Sequence, residues 1–357
     1  MKDWFFKWLE SVYGHLYSLT MNIVYRRKTY LFVKGLDSLD MGYRKKIRRY
    51  WKQFGLKPDL NDYRFYRSRG VKDDARLIPA NIWHSVIEPS CTRLDMVKAF
   101  EDKNYMDLIL GMDIAPRTVV RCVDGLLLDS EFRQLSIESA VRKCSGQTEL
   151  VVKPTVESGG GRGVTFIDGY LVNEGFLESC NRDFSGNYCV QLKVKQHEWF
   201  AQFNSTSTNS LRLVTFLGEE GFTPLSCFLR VGSPGSKVDN ISSGGKLVQV
   251  DLNDGRLLNL ALDKKVNRVS IEDVVPDGCK KTVPKWNHIL ETLETMHWRL
   301  AHFKIINWDV LLDERGDVRL LEYNLLDSSV DWHQVNIGPM FGDKTDSVIS
   351  EILTCRK

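Results

Sequence analysis

Two apolar runs joined by a turn-forming sequence constrain this chain more than any other feature. The segment reads Asn307-Trp-Asp-Val-Leu-Leu-Asp-Glu-Arg-Gly-Asp-Val-Arg-Leu-Leu-Glu-Tyr-Asn324, and residues 313–317 have the composition of a tight turn. This pattern predicts a β-hairpin. A turn centred between Arg315 and Gly316 would place Asp309 directly opposite Glu322.

Strand side chains alternate between faces, so Asn307 and Asn324 would share a face with the two acids, while Leu311 and Leu320 would fill its other end. Opposed carboxylates repel each other unless a cation lies between them. Two carboxylates and an amide oxygen suit Mg²⁺, so Asp309, Glu322 and Asn324 are expected to bind a metal. The alternative is a different turn that leaves both acids in water.

A glycine-rich segment follows a predicted strand at residues 150–154. Its glycines would let the backbone wrap closely around an anion, with Lys153 pointing at the same anion. A strand follows the segment, which excludes the phosphate loops that open a helix. The sequence leaves open a flap over phosphates or an ordinary surface loop. The glycines are Gly159, Gly160, Gly161 and Gly163.

Two further stretches carry cationic and amide side chains among apolar residues. Arg212 lies in the predicted strand 210–217, Arg230 in the strand 223–231, and Asn240 in the long connection that follows. A buried arginine needs an anionic partner. Ordinary ion pairs or exposed strand charges would also explain each residue taken singly.

The order of elements predicts a mixed α/β chain of the α+β kind. Strand clusters with few intervening helices argue against a doubly wound parallel sheet. With 357 residues, 43% of them apolar, the chain can form two or three associated subdomains. Helical patterns are predicted at residues 95–110, 130–143, 173–181 and 285–303, and the tail 331–357 as an irregular stretch with a short terminal helix.

The N-terminal region is predicted to be helical and basic. Residues 1–76 hold 18 Lys and Arg against 8 Asp and Glu. Residues 43–54 place six basic side chains around an apolar stripe of Ile47, Tyr50, Trp51 and Phe54. The favoured interpretation docks this stripe on the body, and the alternative lays it on an anionic membrane.

No apolar run is long enough to span a membrane, and no secretory signal is recognisable. The eight cysteines lack disulfide or metal spacing. We therefore expect a cytoplasmic protein. Peripheral contact with the inner face of the membrane is compatible with this location. No nucleic-acid partner is expected.

Taken in order, the motifs resemble the ATP-grasp superfamily, and within it the sugar-transfer-associated group. The resemblance covers roughly residues 70–330 and implies an ATP-grasp fold, in which two α+β subdomains clamp ATP, here with a helical N-terminal extension. Its quoted segments are Asp74-Ala-Arg-Leu-Ile-Pro79, Glu101-Asp-Lys-Asn104, Asn209-Ser-Leu-Arg-Leu-Val-Thr215, Val238-Asp-Asn-Ile-Ser-Ser-Gly-Gly245 and Trp308-Asp-Val through Glu322-Tyr-Asn324.

The resemblance also implies site roles. Lys103, expected to open a helix, and Lys153 would contact ATP phosphates under a lid at 159–163. Arg212, Arg230 and Asn240 would hold the transferred phosphoryl group and a carboxylate substrate. The metal would be one or two Mg²⁺ ions, with Mn²⁺ as an alternative. Gln191, Leu192 and Val194 would line the adenine slot, and Glu198 would bind the ribose.

Two residues depart from the family pattern. Gln191 stands at the hinge, where the family commonly has an acidic residue. Asn307 stands where a glycine often precedes the Trp-Asp pair. Neither change removes a ligand, so an active enzyme is expected.

The implied activity is a ligase that joins a small-molecule or glycan carboxylate to an amine through an acyl phosphate, in polysaccharide or cell-envelope glycan biosynthesis. A phosphotransferase on the same fold and a non-catalytic membrane-associated subunit are the alternatives. The predicted units are a helical extension and cap at 1–90, a small subdomain at 91–190, a large subdomain at 191–330 and a tail at 331–357.

Overall fold

The structure is a computed structural model that describes residues 2–156, 162–326 and 328–354, with side chains from Val12 onward. The predicted lid glycines Gly159, Gly160 and Gly161 lie outside the described residues. Within those described ranges, no helix is both long and apolar enough to cross a bilayer.

Helices form the N-terminal region, as the sequence predicts. The second helix begins where the Asp40 side chain accepts a 2.8 Å hydrogen bond from the Tyr43 amide, a typical N-cap. Its apolar stripe is buried at Ile47 and Trp51, which confirms docking on the body. The helices are α1 Lys2–Val33, α2 Met41–Lys52, α3 Leu60–Ser68, α4 Ala80–Ile82 and α5 Glu88–Ser90, the last two joined by a π-helical turn at Trp83–Ile87.

The middle of the chain forms an antiparallel five-stranded sheet, and two of its helices cover one face. The elements are α6 Val97–Phe100, α7 Met106–Leu110, β1 Thr118–Val123, β2 Leu126–Leu128, α8 Ile137–Ser145, β3 Glu149–Pro154, β4 Thr165–Asp168, α9 Glu174–Asp183 and β5 Tyr188–Leu192. The strand order is β2-β1-β5-β3-β4, and α8 and α9 are the covering helices.

The remaining chain builds a second, seven-stranded antiparallel sheet. The elements are α10 Glu198–Ala201, β6 Ser210–Gly218, β7 Gly221–Val231, β8 Lys246–Val250, β9 Leu257–Leu262, β10 Arg268–Val269, α11 Trp286–Arg299, β11 Ile305–Leu312, β12 Val318–Asn324, α12 Val330–Ile337 and α13 Thr345–Thr354. The strand order is β10-β9-β8-β7-β6-β11-β12. Two antiparallel sheets with helices confirm the predicted mixed α/β class. Strand β5 of the first sheet ends two residues past the predicted boundary at 190, and the domain boundaries stay predictions.

Each face of the larger sheet belongs to a different core. Helix α11 packs with one face, where Ile289 and Leu293 are fully buried. The other face packs with the N-terminal helices and the C-terminal helices in one cluster, which contains Trp51, Phe228 and Ile349. The N-terminal region is therefore part of the same packed body as the sheet.

Two predicted helices and the predicted irregular tail differ from the structure. The helix expected at 95–110 is two short helices, because the Asp102 carboxylate accepts from the Asn104 amide at 2.9 Å and stabilises a turn instead. Lys103 therefore lies in that turn and does not open a helix. The helix expected from Ser130 begins only at Ile137, since Phe132 has a φ of 62°. The tail expected to be irregular begins with α12.

The predicted hairpin forms, and it has the expected pairing at the end away from the turn. Asp309 pairs with Glu322, and Asn307 with Asn324. The expected pairing of Leu311 with Leu320 is wrong, because an extra residue forms a β-bulge and Leu320 pairs with Val310.

The bulge has a tertiary cause. The Leu320 amide donates to the Ile114 carbonyl at 3.0 Å, outside the β11–β12 ladder. The Leu321 carbonyl accepts from the Lys153 ammonium at 3.4 Å.

Candidate functional site

Two adjoining cavities lie where the five-stranded and seven-stranded sheets meet. The first is a narrow slot of about 120 Å³, and the second is wider, about 650 Å³. Four residues line both cavities and so form the junction between them: Lys103, Arg230, Asn240 and Glu322. The junction joins a slot with largely apolar walls to a larger, polar chamber.

The narrow slot contains the residues expected to bind adenine. Gln191 is buried on β5 and its side-chain amide donates to the Thr118 hydroxyl at 3.2 Å. Leu192 and Val194 also line the slot. The Leu192 amide already donates to the Arg117 carbonyl at 2.9 Å, so this N–H is not available to a bound base.

Both predicted phosphate-binding lysines reach the slot. The Lys103 ammonium lies 3.5 Å from a carboxylate oxygen of Glu322. The Lys153 ammonium donates to the Leu321 carbonyl beside the same glutamate. Burial lowers the pKa of Lys153, and the positive charge of Lys103 adds to that effect.

Glu322 is the acid most strongly influenced by this cationic setting. Burial alone would raise its pKa, but the positive charges of Lys103, Lys153, Arg212 and Arg230 outweigh burial and hold the pKa at about 2. Glu322 is therefore ionised throughout the physiological pH range. Among the residues that the structure describes, seven lysines and arginines line the two cavities against four acidic residues, so the junction favours further anions.

Asp309 is bound from two neighbouring strands. Arg212 on β6 donates to both of its carboxylate oxygens, one of them at 2.9 Å. Arg230 on β7 donates to the second oxygen at 2.7 Å. Asp309 thereby fixes both predicted catalytic arginines beside the junction.

A further acid in this network, Asp239, had no role assigned from the sequence. The Arg230 guanidinium donates to Asp239 and to the Asn240 side-chain oxygen, at 2.7 and 2.6 Å. Burial raises the pKa of Asp239, while Arg230 opposes this shift. Its position next to Asn240 in the Val-Asp-Asn motif was the available signal.

The predicted metal ligands suit a hard divalent cation, with one constraint. Glu322 and Asn324 line the wide cavity, and the amide nitrogen of Asn324 is buried without a hydrogen-bond partner among the described residues. Asp309 already accepts three hydrogen bonds, and a carboxylate has about four lone-pair positions, so little capacity is left. In the described part of the chain no three His, Cys, Asp or Glu side chains converge on one point, so a metal here uses the amide or substrate oxygens as well.

The end of the glycine-rich segment reaches both cavities. Arg162 lines the wide cavity and Val164 lines the slot. Gly163 has a φ of +76°, and a Cβ there would lie 2.9 Å from the Phe184 ring, so only glycine fits. The predicted lid role of residues 159–161 stays a prediction.

The structure does not bring Glu198 to the site with the other predicted residues. Glu198 opens α10 on the exposed surface and lines neither cavity. His197, next to it, caps α10 by accepting from the Trp199 amide at 3.1 Å. A structural role therefore accounts for His197.

The far wall of the wide cavity was not found from the sequence. It comprises Ser328, Ser329, Trp332 and His333 at the start of α12. Burial, together with the nearby positive charge of Arg212, lowers the pKa of His333 to about 3, so this wall is neutral near pH 7. The hydroxyl of Thr155, which lines the same cavity, is buried without a hydrogen-bond partner among the described residues.

The N-terminal helices hold this wall in place. The Glu88 carboxylate accepts from both the amide and the hydroxyl of Ser328, at 2.7 and 2.8 Å. The Trp83 indole donates to the Ser328 carbonyl at 2.9 Å. The other Glu88 oxygen lies 2.8 Å from His84.

The comparison with family models identifies the class. The model of the sugar-transfer associated ATP-grasp family matches residues 90–348, nearly three quarters of the chain. The chain belongs to this family, which confirms the expected family and its ATP-grasp fold. The first 89 residues lie outside the match. No curated protein matched the chain.

Solved structures with similar folds are distant. N5-carboxyaminoimidazole ribonucleotide synthetase from Thermotoga maritima is 12% identical, with a TM-score of 0.38, over 73% of this chain and 50% of that one. D-cycloserine synthetase DcsG is 14% identical, with a TM-score of 0.43, over 75% of this chain and 74% of that one. An L-amino acid ligase from Bacillus licheniformis is 12% identical, with a TM-score of 0.40, over 86% of this chain and 58% of that one. The chain thus spans between half and three quarters of these structures, and its function is argued from its own residues.

Proposed function

We propose that this protein is an ATP- and Mg²⁺-dependent ligase that joins a carboxylate to an amine through an acyl phosphate. One observation carries the proposal: Lys103, Arg230, Asn240 and Glu322 line both cavities at their junction. A nucleotide in the slot would present its terminal phosphate there, and an acid in the wide cavity would meet it.

Charge supports this arrangement. A carboxylate and a triphosphate are both anions, so their reaction needs positive charge in place beforehand. Lys103, Lys153, Arg212 and Arg230 supply it around the junction. Their guanidinium and ammonium groups would orient both anions and stabilise charge on the transferred group.

The reaction has two steps. A carboxylate oxygen attacks the γ-phosphorus, the bond to the β–γ bridging oxygen breaks, and ADP leaves. The amine nitrogen then attacks the acyl carbon, inorganic phosphate leaves with the carbon–oxygen electron pair, and the nitrogen loses a proton. Mg²⁺, held by Glu322, Asn324 and the remaining lone pair of Asp309, would neutralise phosphate charge. No side chain has to act as a covalent nucleophile.

The family description and the far wall favour a glycan-related acid. Trp332 offers an aromatic surface, and Ser328 and Ser329 offer hydroxyls, beside a neutral His333. An aromatic surface with nearby hydroxyls suits a neutral sugar ring, while the arginines suit its carboxylate. We therefore propose a role in polysaccharide or cell-envelope glycan biosynthesis.

Trapping the intermediate tests the reaction class. The protein is incubated with ATP, Mg²⁺, hydroxylamine and each member of a panel of uronic and amino acids, and ADP and hydroxamate are quantified. We expect ADP and hydroxamate to rise together with one class of acid. ADP with a phosphorylated alcohol and no hydroxamate would indicate a phosphotransferase instead. Absence of any ATP-dependent shift in Tm would contradict the nucleotide site.

A further inference from the structure

Helix α1 has a fixed inner face. The Tyr25 ring stacks on the His84 ring with centroids 3.6 Å apart, and the Thr29 hydroxyl donates to the buried Asp62 carboxylate at 3.0 Å. Val33 is fully buried one turn further on. These contacts set the rotation of α1 about its axis, so the side chains on its opposite face point away from the body.

That outward face is apolar. Of the fifteen large hydrophobic side chains that are exposed in the described structure, eight lie on α1, with exposures between 47% and 67%. Monomeric proteins rarely leave such a concentrated apolar surface uncovered. The eight are Tyr13, Leu16, Leu19, Ile23, Val24, Tyr30, Leu31 and Phe32.

From Val12 onward, the same helix and the residue that follows it carry positive charge without any acid. Residues 12–34 contain Arg26, Arg27, Lys28 and Lys34 and neither aspartate nor glutamate. Arg27 follows Ile23 by four residues, which places it on the outward face, and Lys34 is exposed just after the helix ends. Long basic side chains can run along an apolar surface and place their charges at its edge.

Helix α2 adds charge and, apart from Met41 at its start, no large apolar side chain that is exposed. Its apolar stripe is buried against the body, whereas Lys45, Lys46, Arg48 and Arg49 are exposed. Residues 41–57 contain seven basic residues and no acid. Most of the apolar contact must therefore come from α1, and the basic residues of both helices define the preferred charge of the partner.

We propose that the outward face of α1 docks on the surface of an anionic lipid bilayer, with the helix lying in the interfacial plane. Apolar side chains enter the acyl boundary and the arginines and lysines contact lipid phosphates, as interfacial helices do. Charge complementarity favours this partner over a second copy of the chain, because a dimer through residues 12–34 would bury basic groups with no acid in that segment to pair them. The inference is independent of the ligase reaction.

Vesicle sedimentation with the full chain tests the proposal. Wild type is mixed with phosphatidylcholine vesicles or with vesicles that also contain phosphatidylglycerol. We expect sedimentation with the anionic vesicles alone, decreasing as ionic strength rises. The double variant Leu16→Glu/Ile23→Glu and the charge variant Arg27→Glu/Lys34→Glu should each lose at least about tenfold in the vesicle partition coefficient.

A matched control replaces equally exposed apolar residues elsewhere. Leu126→Glu/Leu171→Glu changes two side chains that are 55% and 52% exposed near the five-stranded sheet, and it should bind vesicles like wild type. All variants should keep the wild-type Tm, since none of the replaced side chains is buried. Wild type that stays in the supernatant, an α1 double variant that still sediments, or a wild-type dimer that Leu16→Glu/Ile23→Glu dissociates would each overturn the proposal.

Discussion

Asp309 and Arg212 lie directly opposite each other on neighbouring strands, and their side chains form an ion pair with two hydrogen bonds. On its other side, Asp309 faces Glu322 across the hairpin. The aspartate expected to bind a metal therefore also positions an arginine expected to bind substrate. Loss of Asp309 would disturb both functions at once, so Glu322 is the better residue with which to test the metal and phosphate role.

Replacing Glu322 with glutamine should abolish ATP turnover. The change removes the carboxylate that four cations hold ionised, with its pKa at about 2, and with it a strong ligand for Mg²⁺. We expect turnover with the acid identified by hydroxamate trapping to fall at least about 100-fold. Steady-state ADP release across a Mg²⁺ titration measures the effect.

The matched control is Glu314→Gln, because Glu314 is an exposed glutamate in the turn of the same hairpin. It should behave like wild type. If Glu322→Gln keeps wild-type turnover while Glu314→Gln does too, Glu322 has no part in the chemistry.

Arg230→Met should be strongly destabilising. Arg230 is buried and pairs with Asp309 and Asp239, so its removal leaves buried Asp239 without this counter-charge and leaves Asp309 with Arg212 alone. We expect a loss of about 3–5 kcal/mol in the free energy of unfolding, measured by urea denaturation. Arg93→Met, which removes an exposed pair with Asp95, should cost less than about 1 kcal/mol. Equal losses for the two variants would contradict the importance assigned to the buried network.

Lys153→Met should weaken nucleotide binding. Lys153 projects from β3 toward the slot and the hairpin, where its ammonium would form a charge-assisted hydrogen bond with a phosphate. Such a bond is worth about 1.5–3 kcal/mol, so we expect the Kd for ATP to rise by about 10- to 100-fold in titration calorimetry. Lys143→Met on α8, more than a third exposed, is the control. An unchanged Kd for Lys153→Met would exclude a phosphate contact.

The protein should lose stability as the pH falls from about 6.5 towards 4. Burial lowers the pKa of His297 to about 4, against 6.5 for an ordinary histidine. Between these values the unfolded chain binds a proton that the folded chain does not, so acidification favours unfolding. His297 contributes up to about 1.4 kcal/mol per pH unit in this range.

Burial disfavours protonation of His297 and lowers its pKa, and the hydrogen bond of its ring to the Phe303 carbonyl opposes this shift only in part. One ring nitrogen lies 2.8 Å from the Thr215 hydroxyl, which also accepts from the Trp308 indole, and the other lies 2.9 Å from the Phe303 carbonyl. Urea unfolding at several pH values should show a flatter pH dependence for His297→Gln. His288→Gln, exposed on the same helix, should keep the wild-type slope. Identical slopes for all three proteins would contradict the assignment.

The sequence predicted the hairpin because alternation and turn composition are local properties. The pairing of Asp309 with Glu322 follows from them. The bulge beyond it does not, since it depends on contacts with Ile114 and Lys153, which are remote in sequence. The strand register between the bulge and the turn could therefore not be predicted from the sequence.

The candidate site was partly predictable for the same reason. Motifs identified Arg212 and Arg230, but not that a single aspartate would bind both. The wall at Ser328–His333 lacks any motif, because packing against remote helices creates it. Glu198 was placed by its distance in sequence from Gln191, and a short helix there turns it to the surface.

Glu88 lies just before the family-matched region, which begins at residue 90, and its carboxylate accepts hydrogen bonds from Ser328 inside that region. A chain shortened to that region would keep both arginines but would lose the carboxylate that fixes one wall of the wide cavity. Changes in the N-terminal helices can therefore alter the shape of the wide cavity without changing the lysines and arginines at the junction.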